Sequence, residues 1–269
     1  MGGNPSESFS SDRADLSNFL IHLTKNGSYE NYEKYLPKSG HYQFGNSLNL
    51  VADKSLKQIL HATNGPKLEG RAPFGHFKFD INIYSKLRRS VPPDWLKCVC
   101  FSETPLRELR SFYRSTQNST QYAYKLNRYQ KFGLAFFTDF IRDRGGHPIF
   151  YFDSRKDDIY NAVDRLADPQ FLTACKPLLP LFESFGPARK AKFPLAYEID
   201  FRWEREWRHV GDLKFEFSDV AFGLCPEGRI PEFEKLCADK IMFVDPDWDT
   251  DVLIGHFKSK GRQDLASAL

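Results

Sequence analysis

The sequence lacks the features that mark a membrane or secreted protein. No apolar run in its 269 residues approaches the roughly 20 residues that a membrane-spanning helix needs, and the N-terminus has no apolar signal-peptide core. The cysteines are odd in number and without a C-x-x-C pair, so neither a disulfide framework nor a zinc knuckle is indicated; they are Cys98, Cys100, Cys175, Cys225 and Cys237. We therefore expect a cytoplasmic protein without a membrane partner.

Several catalytic signatures are also missing. The sequence contains neither G-x-G-x-x-G nor G-x-x-x-x-G-K-[ST], which argues against Rossmann and P-loop nucleotide sites. It has no H-E-x-x-H motif for zinc, and Ser102 has no G-x-S-x-G elbow around it. The acidic run 245–249 could bind a cation, but such a run more often forms a turn with a helix cap. The sequence therefore predicts no metal site and no serine-hydrolase triad.

The composition is that of a globular protein rich in aromatic residues. Hydrophobic residues make up 41% and charged residues 27%, and the 25 Phe, 12 Tyr and 4 Trp favour a sheet-rich core or a pocket for planar ligands. The net charge of +3 permits a nucleic-acid partner without requiring one. Residues 1–12 are polar and rich in Gly and Ser, which predicts a flexible tail, and we expect a single domain over 13–269.

The order of the apolar segments predicts an α+β fold. A helix is expected over 53–62 with Asp53 as its N-cap, and residues 155–190 have the pattern of a helix, a loop and a helix. The predicted strands do not alternate regularly with helices, which argues against a doubly wound parallel sheet. The clearest of these strands are at 18–24, 98–102, 132–137, 148–152 and 220–224.

Segment 202–209 has the most informative composition, with two carboxylates, three arginines and two tryptophans among eight residues. If the segment is a strand, Glu204, Glu206 and Arg208 point to one face of the sheet. Two neighbouring carboxylates flanked by guanidinium groups can shift each other's pKa and hold an anionic substrate. A solvated sheet face that carries salt bridges is the commoner origin of such a run, so the segment alone does not decide the function.

An ordered set of strand residues carries a resemblance to a known family. His22 and Thr24 lie on the first predicted strand, Ser102 ends a second, and Glu204 and Glu206 follow on a late one. Together with their surroundings, they resemble the AbiGi-like abortive-infection family of bacterial phage-defence proteins over roughly residues 18 to 245. The segments that carry the resemblance are 21–24, 56–60, 99–106, 132–136, 148–151 and 204–208.

That family is in turn similar to DarT-type ADP-ribosyltransferases, whose fold is a split pair of small sheets that binds NAD. The resemblance implies a triad with an Arg or His on the first strand, a Ser or Tyr on a middle strand and a Glu on a late strand. The matching residues are His22, Ser102 and Glu206, with Tyr129 as a rival for the middle position. The usual Ser-Thr-Ser strand is replaced here by Phe-Ser-Glu-Thr. A cognate antitoxin and a chaperone are the partners that the resemblance implies.

Within that family, each candidate residue has an expected role. Glu206 would stabilise the cation that develops on the ribose of NAD, and Glu204 would orient or deprotonate the acceptor. His22 would hydrogen-bond a ribose hydroxyl, with Thr24 assisting it. Either Arg208 or a basic residue of segment 64–93 such as Arg71 would hold the pyrophosphate, and an aromatic ring, that of Tyr129 or Phe132, would stack on nicotinamide. For the two aromatic residues, an ordinary core position is the alternative.

Three functions therefore stay open at the level of the sequence. The first is an NAD-dependent mono-ADP-ribosyltransferase toxin, whose acceptor is RNA, DNA or protein; the basic segment 64–93 fits a nucleic acid. The second is a catalytically inactive antitoxin that works by binding a partner. The third is a Mg²⁺-dependent nuclease, which needs a third carboxylate beside Glu204 and Glu206, with Asp200 as the nearest candidate.

Overall fold

The computed structural model describes residues 17–25, 44–71, 94–109, 129–186 and 202–269. Its strands are β1 (Phe19–Lys25), β2 (Lys67–Leu68), β3 (Cys98–Ser102), β4 (Tyr129–Phe137), β5 (His147–Pro148), β6 (Phe150–Asp153), β7 (Phe182–Phe185), β8 (Glu206–Val210), β9 (Leu213–Lys214), β10 (Val220–Leu224) and β11 (Phe243–Val244). Its α-helices are α1 (Phe44–Leu60), α2 (Thr138–Asp143), α3 (Asp157–Arg165), α4 (Pro169–Cys175), α5 (Ile230–Leu236), α6 (Thr250–Ser259) and α7 (Gln263–Ala268).

Seven strands form the central sheet, in the order β11-β10-β4-β1-β3-β8-β5. All neighbours in it are antiparallel except β10 and β11. Two small sheets accompany it, an antiparallel pair of β2 and β9 and a parallel pair of β6 and β7. The α+β prediction is confirmed. In the described part of the chain, no helix is long and apolar enough to cross a membrane.

Strands β1 and β3 have the shortest pairing in the central sheet. These strands share one registered pair, Ile21 with Ser102, whereas β1 shares six pairs with β4 and β3 shares five with β8. At the next residue of β1, a side chain replaces backbone pairing with β3: the His22 Nδ1 lies 2.9 Å from the carbonyl oxygen of Cys100. The seven strands therefore form two smaller groups that are linked by one registered backbone pair and by the His22 side chain.

The two faces of the sheet bury separate cores. One face carries Leu20, Phe101 and Trp207 and packs against α1 and α5. The other face carries Ile21 and Ala135 and packs against α6 and α7. Ser102 lies on the same face as Ile21, because the two residues are cross-strand partners. Glu206, the partner of Ser102 on β8, lies on this face too, and so does Arg208, because side chains alternate along a strand.

Close approach of β1 and β4 explains one glycine in the core. A Cβ built on Gly133 would lie 2.5 Å from the carbonyl oxygen of His22, which is shorter than any normal contact. A side chain at this position would therefore push the two central strands apart. The glycine keeps the group formed by β1 and β4 tightly paired beside the narrow junction with β3.

Several strand predictions are confirmed and others need correction. The strands predicted at 18–24, 98–102 and 220–224 correspond to β1, β3 and β10. The predicted strand 148–152 is two short strands, β5 and β6, which belong to different sheets. The flexible tail predicted for residues 1–12 lies outside the described residues.

The helix predicted over 53–62 is also corrected. Helix α1 begins at Phe44, so Asp53 lies inside the helix and does not cap it. Its buried carboxylate instead accepts a hydrogen bond from Nη2 of Arg229 at 3.0 Å. The ion pair with Arg229 balances the charge of this buried interior carboxylate.

Candidate functional site

The charged segment folds as a turn followed by a strand. Residues Arg202–Glu204 form a 3₁₀ turn, and β8 begins only at Glu206. Between them, Arg205 has a φ of +44°, in the left-handed region that residues other than glycine seldom adopt. The prediction that Glu204 and Glu206 share one strand face is therefore wrong, because the turn interrupts the alternation of side chains. No glycine or proline in the segment signals this break.

The end of β3 anchors this turn. The Ser102 hydroxyl lies 2.6 Å from the carbonyl oxygen of Glu204, to which it donates, and the Glu103 N–H donates to the carbonyl oxygen of Arg205 at 3.1 Å. Ser102 is buried, and its hydroxyl also contacts Thr104 Oγ1 at 2.9 Å. Ser102 therefore fixes the backbone that carries Glu204.

Arg208 lies at the centre of the site, with 1% of its side chain exposed. It donates from Nε to Glu206 Oε1 at 3.0 Å and from Nη2 to Glu206 Oε2 at 2.9 Å, so the pair is bidentate. Nη2 also donates to Glu183 Oε2 at 2.9 Å, and Nη1 donates to the carbonyl oxygens of Pro180 (2.7 Å) and Phe182 (3.2 Å). These five hydrogen bonds use the five N–H groups of the guanidinium.

The carboxylates keep this buried arginine charged. Burial by itself lowers the pKa of Arg208, but the charges of Glu206 and Glu183 outweigh it and raise the pKa well above its ordinary value. Both glutamates are also nearly inaccessible, with side-chain exposures of 9% and 2%. A buried ion pair is costly to break, because the partner left behind becomes an uncompensated charge. The cluster therefore joins β8 firmly to β7.

Tyr151 approaches the same carboxylates from the small sheet. It is the cross-strand partner of Glu183, and its hydroxyl oxygen accepts a hydrogen bond from the Glu206 N–H at 3.3 Å. Burial raises the pKa of the Tyr151 phenol above its ordinary value, and the charges of Glu206 and Glu204 raise it further. The phenol thus keeps its proton at neutral pH. The small sheet contacts the start of β8 through two polar side chains, Tyr151 and Glu183.

The structure brings some members of the expected triad together and separates another. Ser102 and Glu206 are direct cross-strand partners, and Glu204 lies in the turn just before them. His22 belongs to the adjacent strand β1, but its neighbour Ile21 is the partner of Ser102. The His22 side chain therefore points to the opposite face, where its ring packs against Phe101 with 5.9 Å between centroids.

Two of the residues expected to contact NAD are part of the core. The buried Thr24 hydroxyl lies 3.2 Å from the carbonyl oxygen of Ala52 and 3.0 Å from that of Phe132. Phe132 is 1% exposed and its ring packs against Phe233, which confirms the core position that was its alternative. The structure therefore gives Thr24 and Phe132 contacts within the core in place of the expected contact with NAD. Strand periodicity indicates which residues share a face but not whether that face is covered.

The two alternative pyrophosphate ligands, Arg208 and Arg71, lie in different surroundings. Arg208 has every guanidinium N–H engaged by the protein, so it offers no donor to a phosphate. Arg71 has an exposed side chain, but its backbone pairs with Cys98 at the opposite end of β3 from Ser102. Four residues of strand separate the two ends, which is about 13 Å. The backbone of Tyr129 begins β4, and its side chain lies outside the described residues.

Sequence reasoning missed three residues near the site. Glu183 and Tyr151 belong to β7 and β6, and β7 falls in the segment 155–190 that was predicted as helix, loop and helix. The pattern Phe182-Glu-Ser-Phe185, with a charge between aromatic residues, is the only local sign of this strand. Trp203 is the third residue: 45% of it is exposed although the turn that carries it is firmly anchored.

The acidic run 245–249 forms a turn and a helix cap, as its commoner interpretation predicted. Asp245 accepts hydrogen bonds from the N–H groups of Glu227 and Asp247, both at 2.8 Å, and Asp249 is the N-cap of α6. Within the described ranges, no three His, Cys, Asp or Glu side chains are grouped as a metal site would require. Asp200, the third ligand of the nuclease hypothesis, lies outside those ranges.

No protein-family model, curated protein or solved structure matches this chain. The resemblance to AbiGi-like proteins accordingly stays a prediction. The function has to be inferred from the geometry around Glu206, Ser102 and Arg208.

Proposed function

We propose that the chain is an NAD-dependent mono-ADP-ribosyltransferase that acts as a toxin in phage defence, with Glu206 as its catalytic carboxylate. The observation that supports this most is the neighbourhood of three strands far apart in sequence. Glu206 begins β8 directly opposite Ser102 of β3, and Ser102 lies opposite Ile21 of β1. The strands expected to bear the triad are thus adjacent in one sheet, at one end of it.

The narrow junction between β1 and β3 supports the same proposal. An ADP-ribosyltransferase-like fold is expected to have a split sheet, and the single pair of Ile21 with Ser102 divides this sheet into two groups of strands. In this proposal His22 stabilises the junction through its contact with the Cys100 carbonyl oxygen and does not bind ribose. Ser102 positions the turn that carries Glu204.

The chemistry required of Glu206 suits its environment. When the bond between nicotinamide and ribose C1′ breaks, its electron pair leaves with nicotinamide, which becomes neutral, and positive charge develops on the ribose. A fixed carboxylate beside the ribose stabilises that charge. The bidentate pair with Arg208 holds Glu206 in one orientation at the start of β8, where the proposal places the ribose.

Glu204 and Trp203 would serve the acceptor. The acceptor nucleophile bonds to C1′ and loses a proton, and Glu204, buried in the turn next to Glu206, is the proposed base. Trp203 displays an exposed ring on the same anchored turn, which suits stacking on a planar group such as a nucleobase. A nucleic acid is therefore the acceptor that we propose, and a cognate antitoxin and a chaperone are the proposed partners.

One observation favours a second candidate, the inactive antitoxin. Both oxygens of the Glu206 carboxylate are engaged by Arg208, and the residue is 8% exposed, as a purely structural ion pair would be. In that case the chain works by contacting a partner, and the only role of Glu206 is to stabilise the fold.

The test is transfer of label from NAD to protein, RNA and DNA fractions of a cell lysate. We expect wild type to label a nucleic-acid fraction and Glu206→Gln to abolish labelling while the protein stays folded. Glu232→Gln is the matched control, because it also removes a carboxylate paired with an arginine, Arg229 at 2.6 Å, but on α5 beside β11 at the other end of the sheet. Equal labelling by wild type and Glu206→Gln would show that Glu206 is not the catalytic carboxylate, and no labelling by folded wild type would favour the antitoxin.

A further inference from the structure

Two buried carboxylates share one arginine in this site, although a single carboxylate would pair it. Glu206 and Glu183 each place Oε2 at 2.9 Å from the same atom, Nη2 of Arg208. The two carboxylate oxygens are thus no more than about 6 Å apart, a distance at which like charges interact strongly inside a protein. Glu183 reaches Arg208 from β7, whereas Glu206 and Arg208 lie on β8.

If Glu206 were the only carboxylate beside Arg208, the pair would have no net charge, whereas the proposed reaction needs a negative carboxylate. Alone, the bidentate guanidinium of Arg208 neutralises Glu206, and a neutral pair gives little stabilisation to a developing cation. Glu183 adds a second negative charge, so the three side chains together carry a formal charge of −1. The electrostatic potential at the catalytic carboxylate is then negative. Arg208 then orients Glu206 without cancelling its charge.

We propose that Glu183 is a positioning residue for the catalytic Glu206. Because Glu183 also pairs with Arg208, it offsets part of the positive charge of the guanidinium, and Glu206 keeps the negative potential that stabilises the ribosyl cation. This inference rests on the proposed transferase function. Glu183 acts through Arg208 and does not touch NAD. Its strand partner Tyr151 supports the same arrangement, because the Tyr151 hydroxyl accepts the Glu206 N–H and fixes the backbone of the catalytic residue.

Two substitutions separate this electrostatic role from mere packing. Glu183→Gln keeps the size of the side chain and an oxygen for Nη2 but removes the charge. Glu183→Asp keeps the charge but shortens the side chain by one methylene in a nearly inaccessible position. If charge is what matters, the Asp variant is the more active of the two, and if packing is what matters, the Gln variant is.

The experiment measures kcat and KM for NAD consumption by wild type and both variants, with unfolding curves for each. We expect Glu183→Gln to lower kcat about tenfold, the equivalent of one pKa unit of lost interaction, with KM changed less than twofold. Glu183→Asp is expected to retain more activity than Glu183→Gln even where it is less stable.

Other outcomes would overturn the inference in distinguishable ways. Unchanged kcat in folded Glu183→Gln, with wild type active, would remove the role of Glu183 and leave the transferase function standing. A Gln variant more active than the Asp variant would assign Glu183 to packing alone, and failure of both variants to fold would assign it to the stability of the fold. Inactive, folded wild type would overturn the transferase function and this inference together.

Discussion

Replacing Arg208 with methionine is the sharpest test of the buried cluster. Methionine fills much of the arginine stem but donates no hydrogen bond, so Glu206 and Glu183 lose their common cation. The two carboxylates then face each other in a site where 9% and 2% of their side chains are exposed. The carbonyl oxygens of Pro180 and Phe182 also lose their donor.

The expected loss in the free energy of unfolding follows from the two carboxylates that Arg208→Met deprives of their common cation. Removing one partner of a buried ion pair typically costs 3–5 kcal/mol, and here two carboxylates are left, so we expect a loss of about 4 kcal/mol or more. In a protein of this size, this corresponds to a fall of about 8–16 °C in Tm. Adding Glu183→Gln and Glu206→Gln to the Arg208→Met background should recover part of the loss, because no unpaired charge then remains.

Urea denaturation followed by tryptophan fluorescence measures these differences. Arg229→Met is the matched control: Arg229 also contacts two carboxylates, those of Asp53 and Glu232, but 31% of its side chain is exposed. Glu232 is exposed, and Lys57 remains in contact with both Glu232 and the buried Asp53, so we expect a smaller loss of about 1 kcal/mol. If Arg208→Met costs no more than Arg229→Met, or if the triple variant is less stable than Arg208→Met alone, the buried cluster does not stabilise the fold as described.

Two further predictions concern the acceptor and the surface charges. Trp203→Ala should reduce label transfer to nucleic acid while NAD hydrolysis to free ADP-ribose continues; a parallel loss of both activities would contradict an acceptor role. Hydrogen bonds from Arg229 and Lys57 lower the pKa of Glu232 from 4.5 to about 2. This carboxylate therefore stabilises the fold above pH 4.5, and its contribution is lost as the pH falls from 4.5 to about 2. Acid unfolding of Glu232→Gln should show a smaller loss of stability in that range, and the difference should shrink with added salt.

The elements that sequence predicts well here are those with continuous local patterns. Strands β1, β3 and β10 were predicted to within a residue or so, because each is a short apolar run bounded by polar residues or turn formers. Strand β7 was missed because its four residues lie in a segment of helical composition. Strand pairing with β6 over a long separation, which no local pattern reports, is what makes this segment extended.

The candidate site was predicted in part, for a physical reason. Ser102 and Glu206 are separated by 104 residues, and only the resemblance grouped them in the sequence; the structure makes them cross-strand partners. The face on which His22 lies depends on register, and a shift of one residue reverses it. The break before β8 depends on Arg205 adopting a left-handed φ, which the Ser102 and Glu103 hydrogen bonds impose. None of these can be read from local composition.

The cluster itself bears on the choice between enzyme and inactive antitoxin. A structural ion pair between β7 and β8 needs one carboxylate, and Glu183 alone would connect the two strands through Arg208. A second buried carboxylate adds a desolvation cost and a like-charge repulsion without adding another strand to the connection. Glu206, at the strand end opposite Ser102, accepts two of the five Arg208 hydrogen bonds but adds no strand to the connection between β7 and β8. A carboxylate fixed at that position is what cleavage of NAD requires, which supports the proposed transferase over the antitoxin.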